Sequence, residues 1–310
     1  MAGSLSIGST PKISPIPSAR WNTFVDDPER QSRSFILPHS LESGSGYVAA
    51  AQGEPGDPDG GGPAFSNIQL DAWFQSLHPS SYRNDPADEA WTKSFYRGRP
   101  LLRETAWYVL GEACRCEYGY SDTWQPIIRS RRMAAVLDEI TREVTKAVGL
   151  RSGELNCVNL NYYPAGGGVG WHADDEFLFD GLRREARIVS LSLCGTSWRR
   201  EDGGGDGSDS IGRNWGVRKF QVRRKGKKNA DDVREILLGH GDLMTMEGLF
   251  QKYYLHSVWP GDSKNVSDHP LCQGERINLT WRTIIRHLDG SRQCRGMRCP
   301  LGEQTDENTP

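Results

Sequence analysis

No uninterrupted apolar run of about 18 residues occurs in the 310-residue chain, so no transmembrane helix is expected. Residues 1–20 lack the long apolar segment of a secretory signal; the expectation is a soluble, intracellular protein that does not act at a membrane. The seven cysteines, Cys114, Cys116, Cys157, Cys194, Cys272, Cys294 and Cys299, are odd in number and never spaced as a CxxC pair. That spacing argues for reduced thiols and against a disulfide framework or a structural zinc site. Neither sign of charge is in excess: 38 Lys and Arg face 40 Asp and Glu, a net charge of -2, which excludes the global basic field of a nucleic-acid coat protein. Apolar side chains are sparse, at 36% of the chain with a mean hydropathy of -0.63, so part of the chain is expected to be disordered.

What is present divides the chain into three. Residues 1–62 are rich in Ser, Pro and Gly, and the run Gly53 to Gly62 has nothing from which to build a core; this tail is expected to be disordered. Its first acidic residue is Asp26, an acid-poor leader of the kind organelle addresses use; the nucleus is the expected compartment and an organelle the alternative. The folded domain is expected over 63–290, followed by a tail over 291–310 of low apolar content. Within the domain, Ile68, Leu70, Trp73, Phe74 and Leu77 recur at helical spacing. Met133, Val136, Leu137, Ile140, Val144 and Val148 form a second helical stripe that stops at Gly149.

After Gly149 the period becomes two. Asn156–Tyr163 alternates, and further strands are expected at Ala186–Cys194, Arg218–Arg224, Asp242–Met246, Tyr253–Val258 and Arg276–Ile285. The pattern predicts a mainly β sandwich or barrel with flanking helices. The glycine- and acid-rich stretch Trp198–Val217 breaks it and reads as a hairpin insertion. Arg199–Lys228 carries ten basic and four acidic residues, a local patch suited to phosphates or simply a wet surface.

Chemistry concentrates in Gly170-Trp171-His172-Ala173-Asp174-Asp175-Glu176. On extended backbone His172 and Asp174 leave the same face and can hold one metal ion. A mononuclear non-haem Fe(II) oxygenase uses two histidines and one carboxylate on one face and leaves the other open. Of the remaining histidines, His39 falls in the tail, His78 and His269 adjoin prolines, His287 follows the last strand and His240 sits in a Gly-flanked turn. His256, inside a strand, is the expected third ligand. In a later strand Arg276, Asn278, Thr280 and Arg282 alternate with Ile277, Leu279, Trp281 and Thr283. If that polar face is internal, its two guanidinium groups call for a small dianion held by forked hydrogen bonds.

This combination resembles the AlkB family of Fe(II)- and 2-oxoglutarate-dependent dioxygenases. The resemblance extends to Pro100–Tyr108, Tyr118-Gly119-Tyr120-Ser121, Asn161-Tyr162-Tyr163-Pro164, Ser190–Leu193 and His240–Met244, all in the family's order over residues 65–287. It implies a double-stranded β-helix (jelly roll) with Fe(II) bound by His172, Asp174 and His256. It also implies 2-oxoglutarate held by Arg276 with Asn161, Tyr163 and Asn278 assisting and Arg282 near the other end. O2 is the co-substrate and ascorbate the reductant in vitro.

The implied reaction is oxidative demethylation of alkylated bases in DNA or RNA, of the 1-methyladenine and 3-methylcytosine type. Hydroxylation of the methyl carbon releases formaldehyde, succinate and CO2. The target base must be flipped out or single-stranded, and Trp107, Tyr118 and Tyr120 are the stacking candidates. Asp175 and Glu176, beside the ligands, are expected to contact the lesion base. The alternative is the same oxygenase chemistry on a modified tRNA base, a protein or a small molecule. A non-catalytic relative would have lost a ligand or an arginine, and none is lost. A monomer is expected.

Overall fold

The computed structural model describes residues 21–39, 63–83, 88–112, 114, 116–120, 123–195, 217–227, 232–259 and 274–286. Helix α1 (Asn67–Leu77) begins where the Ser66 side chain accepts a hydrogen bond from Gln69 N. Helix α2 (Arg131–Val148) begins on Ser130, which accepts from Met133 N, and ends at Gly149 in the left-handed region (φ 71). There Gly149 N and Leu150 N donate to the carbonyls of Lys146 and Thr145, so the last turn is closed rather than frayed.

Fourteen strands are described: β1 (Asn22–Asp27), β2 (Ser32–Leu37), β3 (Thr92–Tyr96), β4 (Arg99–Val109), β5 (Tyr118–Tyr120), β6 (Thr123–Gln125), β7 (Cys157–Tyr163), β8 (Val169–His172), β9 (Ala186–Cys194), β10 (Arg218–Arg224), β11 (Arg234–Leu238), β12 (Leu243–Gly248), β13 (Tyr254–Trp259) and β14 (Arg276–Arg282). The larger sheet runs β1-β2-β12-β9-β14-β7-β4-β3 and the smaller β11-β10-β13-β8, while β5 and β6 pair alone. This is the expected jelly roll.

Period-two alternation divides the larger sheet. On β14, Ile277, Leu279 and Trp281 face the helices and are fully buried with Leu70, Trp73, Leu137 and Ile140. Trp281 Nε1 also donates to Thr141 Oγ1 at 2.8 Å, pinning α2 to the sheet. Burial of each such aliphatic side chain contributes about 2 kcal/mol. Arg276, Asn278, Thr280 and Arg282 face the opposite way, into a cavity between the two sheets. A second apolar cluster, with Ile188, Phe220, Val222, Ile236, Met244 and Phe250, holds the sheets together beside that cavity.

Two expectations change. The tail over 1–62 is not uniformly disordered: β1 and β2 form a hairpin whose second strand pairs with β12 along Ser32–Leu37, and Phe24, Val25 and Ile36 enter the second cluster. The Ser, Pro and Gly content around it hides two short strands joined by the Asp27–Gln31 turn. His39 is therefore ordered, and its N–H donates to Asp242 Oδ1 at 2.8 Å. The glycine run after Tyr163 permits a close approach: a Cβ on Gly167 would stand 2.6 Å from the Leu102 carbonyl, so the loop lies flush on β4. Most of the expected 198–217 insertion and the 291–310 tail lie outside the described residues. The described cysteines, Cys114, Cys116, Cys157 and Cys194, are buried thiols, with no disulfide among the described residues. No described helix is long and apolar enough to cross a membrane.

Candidate metal and co-substrate site

Strands β8 and β13 pair antiparallel with His172 directly opposite His256, so two imidazoles far apart in sequence stand with ring centroids 4.1 Å apart. Asp174 follows β8, and its Oδ1 lies 3.7 Å from His172 Nε2 and 3.8 Å from His256 Nε2. One ligand atom from each residue falls within 4.8 Å of the others. His172 Nδ1 lies 2.8 Å from Gly170 O and donates to it, which leaves the Nε2 lone pair for a metal. Burial holds both histidines below their ordinary range, His256 at about 3, so both are neutral and ready to coordinate. Burial alone would raise the Asp174 carboxyl, but the Arg282 guanidinium beside it outweighs burial and keeps the group ionised. His240, the alternative ligand, is elsewhere: its Nδ1 accepts from Cys194 N at 3.0 Å.

The co-substrate end lies along β7 and β14, where Tyr163 pairs with Arg276 and Asn161 with Asn278. All four line the cavity, as does Arg282. Arg276 is fully buried; its Nη2 donates to Ser192 Oγ at 2.9 Å and Asn278 Oδ1 at 2.7 Å, while Nε and Nη1 have no partner. A buried guanidinium with two unmet donors fits a carboxylate ligand. The metal trio and this arginine therefore fit Fe(II) and 2-oxoglutarate. Arg282 departs from expectation, because its Nη2 pairs with Asp174 Oδ2 at 2.6 Å. It orients a metal ligand as well as lining the cavity.

The substrate candidates separate. Trp107 is fully buried, stacked on Tyr118 at 4.9 Å with Nε1 donating to Cys116 O; it supports Tyr118 from behind and offers no face to a base. The expectation failed because an apolar aromatic beside a pocket reads the same from either side of the wall. Tyr118 lines the cavity and donates its hydroxyl to Glu176 Oε1 at 2.5 Å. Burial, reinforced by Asp174, lifts Glu176 to about 7, and its Oε2 is buried without a partner. Asp175 is exposed, 3.5 Å from Lys225 Nζ. Tyr120 pairs with Thr123 in the β5–β6 hairpin, and its side chain lies outside the described residues.

Sequence reasoning missed Gln251, Arg103 and the β3–β4 hairpin. Gln251, in the one-turn helix α3 (Phe250–Tyr253), accepts from Asp174 N at 2.9 Å. Arg103 lines the cavity from β4. At the hairpin tip Phe95 and Tyr96 are exposed, with the Arg97 guanidinium 5.3 Å from the Tyr96 ring. Gln251 gives no sequence signal, since one amide in a helical turn is ordinary. The aromatic and basic run at 95–99 was legible but was not read as a hairpin.

A two-histidine, one-carboxylate cluster in a jelly roll, beside a buried arginine with unmet donors, is the residue set a mononuclear iron oxygenase needs. The chain belongs to the 2OG-Fe(II) oxygenase superfamily, whose family model matches residues 65–282. Over 150 residues it is 30% identical to the DNA oxidative demethylase ALKBH2 of Arabidopsis thaliana, a match covering 48% of this chain and 43% of that relative. The chain thus spans less than half the length of the curated relative it matches. Among solved structures it is similar to OsALKBH1, with a TM-score of 0.40 and 15% identity over 71% of this chain and 93% of that one. It is also similar to an oxidoreductase of the 2OG-Fe(II) oxygenase family from Burkholderia pseudomallei, with a TM-score of 0.38 and 13% identity over 71% and 80%.

Proposed function

We propose that this dioxygenase removes methyl groups oxidatively from alkylated nucleic-acid bases of the 1-methyladenine or 3-methylcytosine type. The observation that carries the reading is the wall beside the metal trio, where cavity-lining Tyr118, backed by Trp107, holds the Glu176 carboxyl on its hydroxyl. A flat ring and a carboxyl suit a planar cationic base, since both lesions carry positive charge. The stretch similar to a DNA oxidative demethylase supports the same substrate class.

Each residue then has a task. His172, Asp174 and His256 would hold the iron, with Gln251 fixing the Asp174 main chain and Arg282 its carboxylate. Arg276 would take the distal carboxylate of 2-oxoglutarate on its two unmet donors. When bound, iron and 2-oxoglutarate would activate O2, one oxygen atom going to succinate as CO2 leaves and the other becoming a hydroxyl on the methyl carbon. The hydroxymethylated base then loses formaldehyde. Arg224, Lys225 and Lys227, at the end of β10, offer charge to phosphates, whereas Arg218 of the expected basic patch is fully buried and does not. A DNA substrate would place the protein in the nucleus or a DNA-bearing organelle.

The test is mass spectrometry of single-stranded DNA, duplex DNA and RNA oligonucleotides carrying either lesion, incubated with protein, Fe(II), ascorbate and 2-oxoglutarate. Loss of the methyl group in a 2-oxoglutarate-dependent manner from at least one of them is expected. Methyl retained in all, with succinate still formed, overturns the substrate class and leaves the oxygenase.

A further inference from the structure

We infer that Arg218 is a positioning residue for 2-oxoglutarate, a cross-tie between the two sheets at the co-substrate end of the cavity. Arg218 opens β10 of the smaller sheet and is fully buried. Its guanidinium reaches four main-chain carbonyls: Nε donates to Gly167 O at 3.2 Å, Nη1 to Val217 O at 3.1 Å, and Nη2 to Pro164 O at 3.2 Å and Gly274 O at 2.8 Å. Burying a cation is costly unless its donors are met, and here oriented carbonyl dipoles meet them. The carbonyls belong to places that matter for the anion. Pro164 directly follows Tyr163, and Gly274 stands two residues before Arg276.

Tyr163 is the last residue of β7 and Arg276 the first of β14, and they pair at the terminus of their ladder, with the Arg276 guanidinium carbon 5.8 Å from the Tyr163 ring centre. Ladder ends are where strands open, yet this end has to present a buried guanidinium to a small dianion in fixed geometry. Arg218 closes it from outside the ladder. Gly167 joins the same knot, because its carbonyl accepts from Arg218 while its α-carbon lies against the Leu102 carbonyl of β4. One planar fork thereby connects β10, the loop after β7, the approach to β14 and, through Gly167, β4. A lysine, with one ammonium on a flexible stem, cannot span four carbonyls in these directions.

The consequence is specific to the co-substrate. The metal trio sits on β8, the segment after it and β13, none of which carries one of these four carbonyls, so loss of the tie should loosen 2-oxoglutarate and spare the metal. The test uses the full chain as Arg218→Met and Arg218→Lys. Two quantities are read: the affinity of the Mn(II)-loaded protein for 2-oxoglutarate by anaerobic calorimetry, and the affinity for Mn(II) itself. Uncoupled turnover, without nucleic acid, supplies KM and kcat, so the outcome does not depend on the substrate reading.

For Arg218→Met the expected result is 2-oxoglutarate affinity and KM worsened about tenfold or more, with a smaller change for Arg218→Lys and Mn(II) affinity within about twofold of the parent. A 2-oxoglutarate affinity unchanged in both variants overturns the proposal. Affinities for metal and co-substrate falling together also overturn it, since that marks a general loss of structure. If Arg218→Met does not fold, the same two criteria applied to Arg218→Lys decide.

Discussion

Arg282 Nη2 lies 2.6 Å from Asp174 Oδ2 with both side chains buried, so the carboxylate that would bind iron is already engaged on its other oxygen. The pair sets the orientation of the metal ligand in advance, and it balances a negative charge that burial alone would suppress. Removing one member of a buried pair leaves the other uncompensated, at a cost of about 3–5 kcal/mol. Arg282→Met is expected to lower the stability of the metal-free protein by about that amount. Mn(II) should restore much of the loss by compensating Asp174. Denaturant unfolding with and without Mn(II) checks this; equal destabilisation under both conditions speaks against the role.

Gln251 acts on the same ligand through its main chain. Gln251→Leu leaves the buried Asp174 N–H without an acceptor, and the expected destabilisation is about 1–3 kcal/mol. Mn(II) affinity is expected to weaken as well, by about tenfold or more. Titration of Mn(II) by electron paramagnetic resonance provides the measurement, and an unaltered affinity would detach Gln251 from the site.

The candidate metal site was readable because period-two strands convert spacing into facing: His172 and Asp174 two apart, and Arg276, Asn278, Thr280 and Arg282 on one side of a strand, all reach the cavity. What sequence could not give was the choice between the two faces of a wall. Trp107 and Tyr118 look alike as letters, yet one is the support and the other the lining. Arg282 and Arg218 were likewise legible as arginines but not in their partners, since Asp174 and the four carbonyls come from distant segments.

The hairpin β1–β2 was lost to the composition of its surroundings, and its contribution is measurable. Deleting residues 2–39 strips the partner from β12 and exposes the second apolar cluster, so an aggregating or unfolded product is expected. Deleting residues 2–20 leaves both strands in place. Circular dichroism and soluble yield of the two deletions separate the cases; a stable, active protein lacking 2–39 would show the hairpin to be dispensable.

Burial holds His240 near a pKa of about 4, with His39 adding to the shift. The folded state therefore resists protonation that the unfolded chain accepts near 6.5. The stability contributed by neutral His240 is fully present above about pH 6.5 and is lost as pH falls toward 4, amounting to about 2 kcal/mol by pH 5. His240→Asn, whose Oδ1 keeps an acceptor for Cys194 N, is expected to flatten the stability profile between pH 7 and 5 by that amount. Identical profiles would mean that His240 does not titrate in this range.

One cavity holds the metal trio and the Arg276 end, and the proposed reaction seats a methylated base there as well. Its most direct test is the ratio of formaldehyde to succinate formed by the protein with Fe(II), 2-oxoglutarate and an oligonucleotide carrying 3-methylcytosine. A ratio of about one is expected, with no product of either kind from Asp174→Ala, because oxidation of 2-oxoglutarate is then coupled to the methyl carbon at this metal site. Succinate without formaldehyde, or turnover that survives in Asp174→Ala, would contradict it.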